Sequence, residues 1–226
     1  KPEQIDPKSQ AEGNKQKKAV QTEYALAFAA NIVTGAFNDK IESLSNTLNG
    51  FDKLEKSSQT YSLTSISSGA TGGTTYDIST GYINFAYADT SNFIHEVKHG
   101  VQFENKELAF NIESGKPVGI DLSDEVSAYT EQYHFNSSSV TSLNSSGGKV
   151  KSVADITNNW VQGLTEPSGQ KPYSVGGRAN IGLVPININS SKNDLIKAYP
   201  SAAESLKTAP ADFNLKIDPN TYYKTP

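Results

Sequence analysis

Apolar residues recur at three- and four-residue spacing early in the chain: Ala25, Leu26, Phe28, Ala29, Ile32, Val33 and Phe37, then Ile41, Leu44 and Leu48. That spacing puts one face of a helix against a core, and it predicts helix over about residues 19–54. Gly35 and Gly50 mark a break and a stop within it. The pattern then changes. Residues 57–75 are rich in Ser, Thr and Gly, with Tyr61, Leu63 and Ile66 predicting a short strand before a turn at Gly69, Gly72 and Gly73. Residues 80–88 predict a second strand, in which Tyr82, Ile83, Phe85 and Tyr87 supply aromatic and β-branched bulk.

Helical spacing returns at Phe93, Ile94, Val97, Val101 and Phe103, with Asp89, Thr90 and Ser91 as candidate N-caps. A loop around Gly115 and Gly119 leads to another helix, from Asp121 or Ser123 to about Phe135. Residues 136–148, nearly all Ser, Asn, Thr and Gly, predict a flexible excursion. Beyond them come a short helix near Trp160, a Gly- and Pro-rich stretch to Ala179, a strand-like segment 181–188 and a last helix over 194–207. There is no internal repeat. The elements predict an α+β fold.

A length of 226 residues fits one domain with a substantial core. Residues 1–18 carry charges, glutamines and two prolines with almost nothing to bury, and read as a solvated linker ahead of a domain over 19–226. The chain opens at Lys1, which leads us to expect a removed leader or a larger N-terminal region. A formal net charge of -4, with Arg178 the only arginine, argues against a nucleic-acid surface. The absence of cysteine removes disulfides, thiolate metal sites and cysteine nucleophiles. No apolar run approaches the roughly 20 residues of a membrane-spanning helix.

The chemistry is concentrated at His95-Glu96-Val97-Lys98-His99. Residues four apart lie one above the other on a helix, so both imidazoles can reach one ion. Glu96 then lies near the ion's open coordination position, where it can take a proton from water. Two of the chain's three histidines fall in this pattern, which random placement would generate in roughly two of a thousand such chains. Imidazole and carboxylate donors suit Zn2+. Ile94, Val97 and Val101 place the helix in the core, and buried imidazoles need partners.

An open zinc site takes three protein ligands. No third histidine follows at the extended spacing, so the third donor must come from elsewhere. Glu125 fits best, early in the next helix with Ala128 and Tyr129 one turn on. Asp124 competes, although a role in capping also suits it. His134, nine residues past Glu125, projects to the opposite side of that helix. Tyr129, Tyr133, Tyr173 and Arg178 are candidate donors to a developing oxyanion. Gly176-Gly177-Arg178 lacks the Lys-Ser/Thr of a phosphate loop and reads as a turn.

The pair His95–His99 with Glu125-x-x-Ala128 resembles the gluzincin type of zincin metallopeptidase. With Tyr76-Asp77, the 82–87 strand and the phrase running on from His99 to Glu104, it resembles small bacterial metallopeptidase domains. Such domains often form the toxic C-terminal part of secreted proteins with Rhs-type repeats. The likeness covers residues 76–135. It implies a zincin fold, Zn2+ held by His95, His99 and Glu125, and Glu96 as catalytic base acting on a peptide or protein substrate. It also implies that the strand before the zinc helix walls the cleft, with Ile83, Asn84 and Phe85 offering backbone groups to peptide. Tyr129, Tyr173 and Arg178 join them as candidate substrate contacts. The implied setting is extracytoplasmic, or the cytoplasm of a target cell for an effector. A non-catalytic zinc-binding or adhesion module is the competing reading. Where many gluzincins place Asp four residues after the ligand glutamate, this chain has Tyr129.

Overall fold

The computed structural model describes residues 7–34, 38–216 and 222–226. The chain opens on α1 (Pro7–Thr34) and α2 (Asp39–Lys56), followed by β1 (Tyr61–Ser65), β2 (Gly73–Tyr76) and β3 (Ile83–Tyr87). Then come α3 (Thr90–Glu104), β4 (Ala109–Asn111), β5 (Pro117–Val118), α4 (Leu122–Phe135) and α5 (Ser138–Thr141). The last elements are α6 (Asn158–Gly163), α7 (Lys192–Ala198), α8 (Ala203–Lys207) and β6 (Tyr223–Lys224). The fold is mixed α+β. Among the described residues no helix is long and apolar enough to cross a membrane.

The polar segment read as a linker is, from Pro7 onward, the first half of α1. Proline at a first helical position has no amide to leave unsatisfied. Burial here comes from a few residues: Ser9, Gln16 and Val20 are covered. Ser9 Oγ accepts from Leu63 N at 2.8 Å, fastening α1 to the outer edge of β1. Lys17 bonds Glu55 at 2.9 Å and Asp52 at 3.4 Å across to α2. Gly35 and Phe37 lie outside the described residues.

Asn38 caps α2 by accepting from Ile41 N at 3.1 Å, and Ile41, Leu44, Phe51 and Leu54 bury its inner face. The helix does not stop at Gly50. A Cβ there would come within 3.0 Å of Val101 Cγ2, so glycine serves a close approach to α3. Gly100 serves a close approach of α3 to the sheet, where a Cβ would meet Phe85 Cζ at 2.5 Å. Alanine at Gly100 would push α3 away from the sheet.

That sheet has the order β1-β3-β2. β3 is central, parallel to β1 (Leu63 beside Phe85) and antiparallel to β2 (Thr74 beside Phe85). Its burial alternates, with Ile83, Phe85 and Tyr87 turned into the main core. A second small sheet, β5-β4-β6, is antiparallel throughout.

The later half departs more from its sequence pattern. Residues 136–148 are no loose excursion. Val140 is fully buried beside Trp160, and Ser146 N bonds Gly163 O at 3.0 Å. Segment 181–188 forms no strand and contributes one bridge, Gly182 to Asp121. The last helix is broken by Pro200 into α7 and α8.

Candidate metal centre

Two helices build the site. Asp89 caps α3 by accepting from Asn92 N at 2.8 Å, and the buried stripe of α3 takes in His95, Glu96, His99 and Gln102 as well as apolar residues. α4 begins with a reciprocal cap: Asp121 Oδ1 accepts from Ser123 N at 2.7 Å, and Asp124 Oδ2 accepts from Asp121 N at 2.9 Å. Asp121 Oδ2 also accepts from Ile186 N at 2.9 Å, which ties the helix start to a point much later in the chain. Ala128 is fully buried, and so the two helices pack closely enough for Glu125 to reach the histidines.

His95, His99 and Glu125 form a buried cluster whose donor atoms all lie within 4.8 Å of one another. His95 Nε2 is 3.3 Å from His99 Nε2 and 3.3 Å from Glu125 Oε2. His99 Nε2 is 3.5 Å from Glu125 Oε1. Donors arranged tetrahedrally at about 2.0–2.1 Å from an ion stand about 3.3–3.4 Å apart, close to these separations. Apart from the loose approach of His95 Nε2 at 3.3 Å, Glu125 Oε2 is buried with no hydrogen-bond donor, a costly condition that a cation would relieve. The cluster could therefore hold a metal ion. Burial opposes charge on His95, but hydrogen bonding and attraction to Glu125, with Glu96 adding, raise its pKa. Burial likewise works against the Glu125 carboxylate. The attraction of His99 and His95 outweighs it, and its pKa is lowered.

Glu96 stands beside this cluster rather than in it. Its Oε2 is 2.9 Å from Thr74 Oγ1, and its Oε1 is 3.4 Å from Asn92 Nδ2. The Thr74 hydroxyl also lies 3.0 Å from the Glu96 carbonyl. The single hydroxyl proton of Thr74 is thus shared between the backbone carbonyl and the carboxylate of Glu96.

The two histidines are held differently. Gln102 Oε1 sits 2.8 Å from His99 Nδ1, and Gln102 Nε2 donates to the Asp124 carbonyl at 3.0 Å. His95 Nδ1 has no bond of that quality, although Gln132 of α4 stands near enough to contribute to the raised His95 pKa. Its ring is instead packed by Tyr129, centroids 4.3 Å apart at 65°, and Tyr129 packs in turn on Trp160 at 5.1 Å. Tyr129, four residues after Glu125, thus holds an imidazole by its ring. Tyr173, from the loop after α6, approaches both Glu125 and Tyr129; burial and the Glu125 charge raise both phenol pKa values, so both stay protonated.

The other sequence candidates lie elsewhere. Asp124 turns its carboxylate back to the Asp121 amide. His134 is at the far end of α4, beside Asp39 and Lys40, and burial lowers its pKa. Tyr133 packs against the His134 ring and the Trp160 core. Arg178 pairs with Glu166 at the surface.

The reading of Ile83, Asn84 and Phe85 as a peptide-binding wall is corrected by the sheet order. β3 has a strand on each side, so its backbone groups are already taken. Ile83 and Phe85 are core residues, and Asn84 accepts from Ser62 at 3.0 Å and Thr64 at 2.9 Å on the opposite face. β2 is the edge strand next to Glu96. Sequence reasoning missed Gln102, Asn92 and Thr74. Helical spacing carries a signal for the first two, three residues after His99 and four before Glu96. Thr74 has no local signal, since only the fold brings it there.

No protein-family model matches the sequence, and neither a curated protein nor a solved structure matches the chain.

Proposed function

We propose that this protein is a zinc-dependent peptidase of the zincin type. The observation that carries the proposal is the division of labour among three buried carboxylate and imidazole groups and a fourth. His95, His99 and Glu125 point donor atoms at one another, and Glu96 is held alongside by Thr74 and Asn92. A purely structural metal site has no use for a buried carboxylate fixed outside the ligand set, which argues against the binding-module reading.

A bound zinc ion supplies positive charge that polarises a carbonyl and acidifies water at its open position. The chain supplies the rest. Glu96 takes the proton of the attacking water and hands it to the leaving amine, and Thr74 and Asn92 keep its carboxylate aimed. Tyr173, kept protonated by its surroundings, would serve as the donor to the developing oxyanion. Substrate backbone pairs with β2. The Tyr76 amide marks the outer side but is already taken by Gly115 O at 2.8 Å, so the pairing falls at Thr74, whose amide and carbonyl strand alternation turns to that same side. The resemblance to secreted toxin domains adds a setting outside the producing cell.

The test is elemental analysis joined to cleavage of a peptide library. About one zinc per chain with library cleavage supports the proposal. No metal retained or taken up on titration, or full cleavage by the Glu96→Gln variant, would overturn it. Broad cleavage of unstructured peptides points to a general peptidase, and cleavage of one protein to an effector.

A further inference from the structure

The amide of Gln102 bridges the two helices that carry the proposed ligands. It is 1% exposed and makes two bonds of opposite sense. Its Oε1 lies 2.8 Å from His99 Nδ1, and its Nε2 donates to the Asp124 carbonyl at 3.0 Å. The carbonyl of Asp124 can only accept, so it fixes which end of the amide faces it. A flipped amide would set two oxygens against each other there. With the amide oriented in this way, the group facing His99 is an acceptor, and His99 Nδ1 must carry the ring proton. In the neutral ring that leaves the lone pair on Nε2, the atom turned toward His95 and Glu125.

Asp124 is the residue immediately before Glu125. The bond that orients the amide therefore also fixes the start of α4 relative to His99. An acidic residue in place of Gln102 could accept from His99 but, when ionised, has no proton for the Asp124 carbonyl. Only an amide of this length does both.

We propose that Gln102 is a positioning residue that selects the His99 tautomer and couples it to the helix start bearing Glu125. The inference rests on reading His95, His99 and Glu125 as metal-holding. It goes beyond that reading by assigning the control of the ligand's protonation pattern to a neutral side chain.

Gln102→Leu and Gln102→Glu test it by two measurements. Long-range proton–nitrogen NMR reports the His99 tautomer in metal-free protein, where only three histidines need assignment. Chelator competition reports the affinity for zinc ion. In the unsubstituted protein His99 is expected as a single Nδ1–H tautomer. In Gln102→Leu that preference is lost, and zinc binds about ten- to a hundredfold more weakly. Gln102→Glu restores the tautomer, with an affinity between the other two because the Asp124 contact is gone.

An unchanged tautomer in Gln102→Leu, with zinc affinity within about twofold of the unsubstituted protein, overturns the assignment. If Gln102→Leu fails to fold, loss of the Nδ1–H tautomer in Gln102→Glu overturns it as well. Should the unsubstituted protein take up no zinc, the metal reading falls, and the tautomer measurement still decides the role of Gln102.

Discussion

The two sides of the candidate site are built by different means. One side is the helix pair α3 and α4, which brings His95, His99, Glu125 and Gln102 together through fixed helical spacing and close packing. The other consists of the short edge strand β2 and the loop carrying Tyr173, which reach the site from distant points in the chain. The helices fix what can be held. On the proposed function the strand and loop set what can be done with it, because Thr74 bonds Glu96 and Tyr173 offers a proton donor. If this division is real, damage to the two sides should have different signatures. Loss on the helix side removes metal and activity together, and loss on the other side removes turnover alone.

The largest effect is expected at the helix side. Glu125→Ala leaves two imidazoles without the carboxylate that completes an open site. Zinc content should fall to a small fraction of one per chain, with activity at background. Full zinc content in that variant, measured by elemental analysis after dialysis, would contradict the ligand assignment.

Glu96→Gln sharpens the contrast from within α3. The residue is next to the cluster and outside it, so metal content should be unchanged. Turnover should fall on the order of a hundredfold or more with the loss of a general base. Parallel loss of metal would mean that Glu96 is part of the holding machinery. Tyr173→Phe is the corresponding experiment on the other side. It removes one hydroxyl, and kcat should fall by about a hundredfold while KM and zinc content hold. A change confined to KM would make Tyr173 a substrate contact rather than an oxyanion donor.

The same contrast explains what can be read from the sequence. Helical periodicity encodes three-dimensional neighbours at three, four and seven residues, so spacing alone places His95 and His99 on one face with Glu96 at its margin. Glu125 follows from the phase of the next helix. Nothing local says that Thr74, in a Gly-Thr-Thr-Tyr strand, sits against Glu96, because strand order is set by long-range pairing. The 82–87 strand reads as a cleft wall because it directly precedes the helix of His95 and His99, and it is also strongly apolar. That composition belongs instead to a central strand covered on both edges. Segment 136–148 reads as loose because Val140 is a single buried anchor among polar neighbours. In the first half of α1 the burial rests on Ser9, Gln16 and Val20, too few apolar positions to show as a stripe, whereas the apolar run that predicts its second half leaves Leu26 and Phe28 exposed.

The smallest expected effect separates Glu125 from its neighbour. Asp124 is the competing ligand by sequence, but its carboxylate caps the helix start and lies outside the cluster. Burial, with the charge of Asp121 and the proximity of Glu107 adding, pushes its pKa up to about 8 from the usual 3.8. The sign follows from proton binding. Between those two values the folded protein holds a proton that the unfolded chain has released, so this group makes stability fall as pH rises through the window. Below the window both states are protonated and the full contribution is present. Above it the buried carboxylate is ionised in the fold, at full cost. Asp124→Asn keeps an oxygen for the Asp121 amide and has no charge to bury. The variant should therefore retain zinc and activity, and it should lose less stability than the unsubstituted protein on going from about pH 5 to about pH 9. Urea unfolding of both proteins in the presence of a chelator checks this, since the other titrating groups are common to both and cancel in the difference. Parallel stability profiles would remove the buried-proton assignment, and loss of zinc from Asp124→Asn would reopen Asp124 as a ligand.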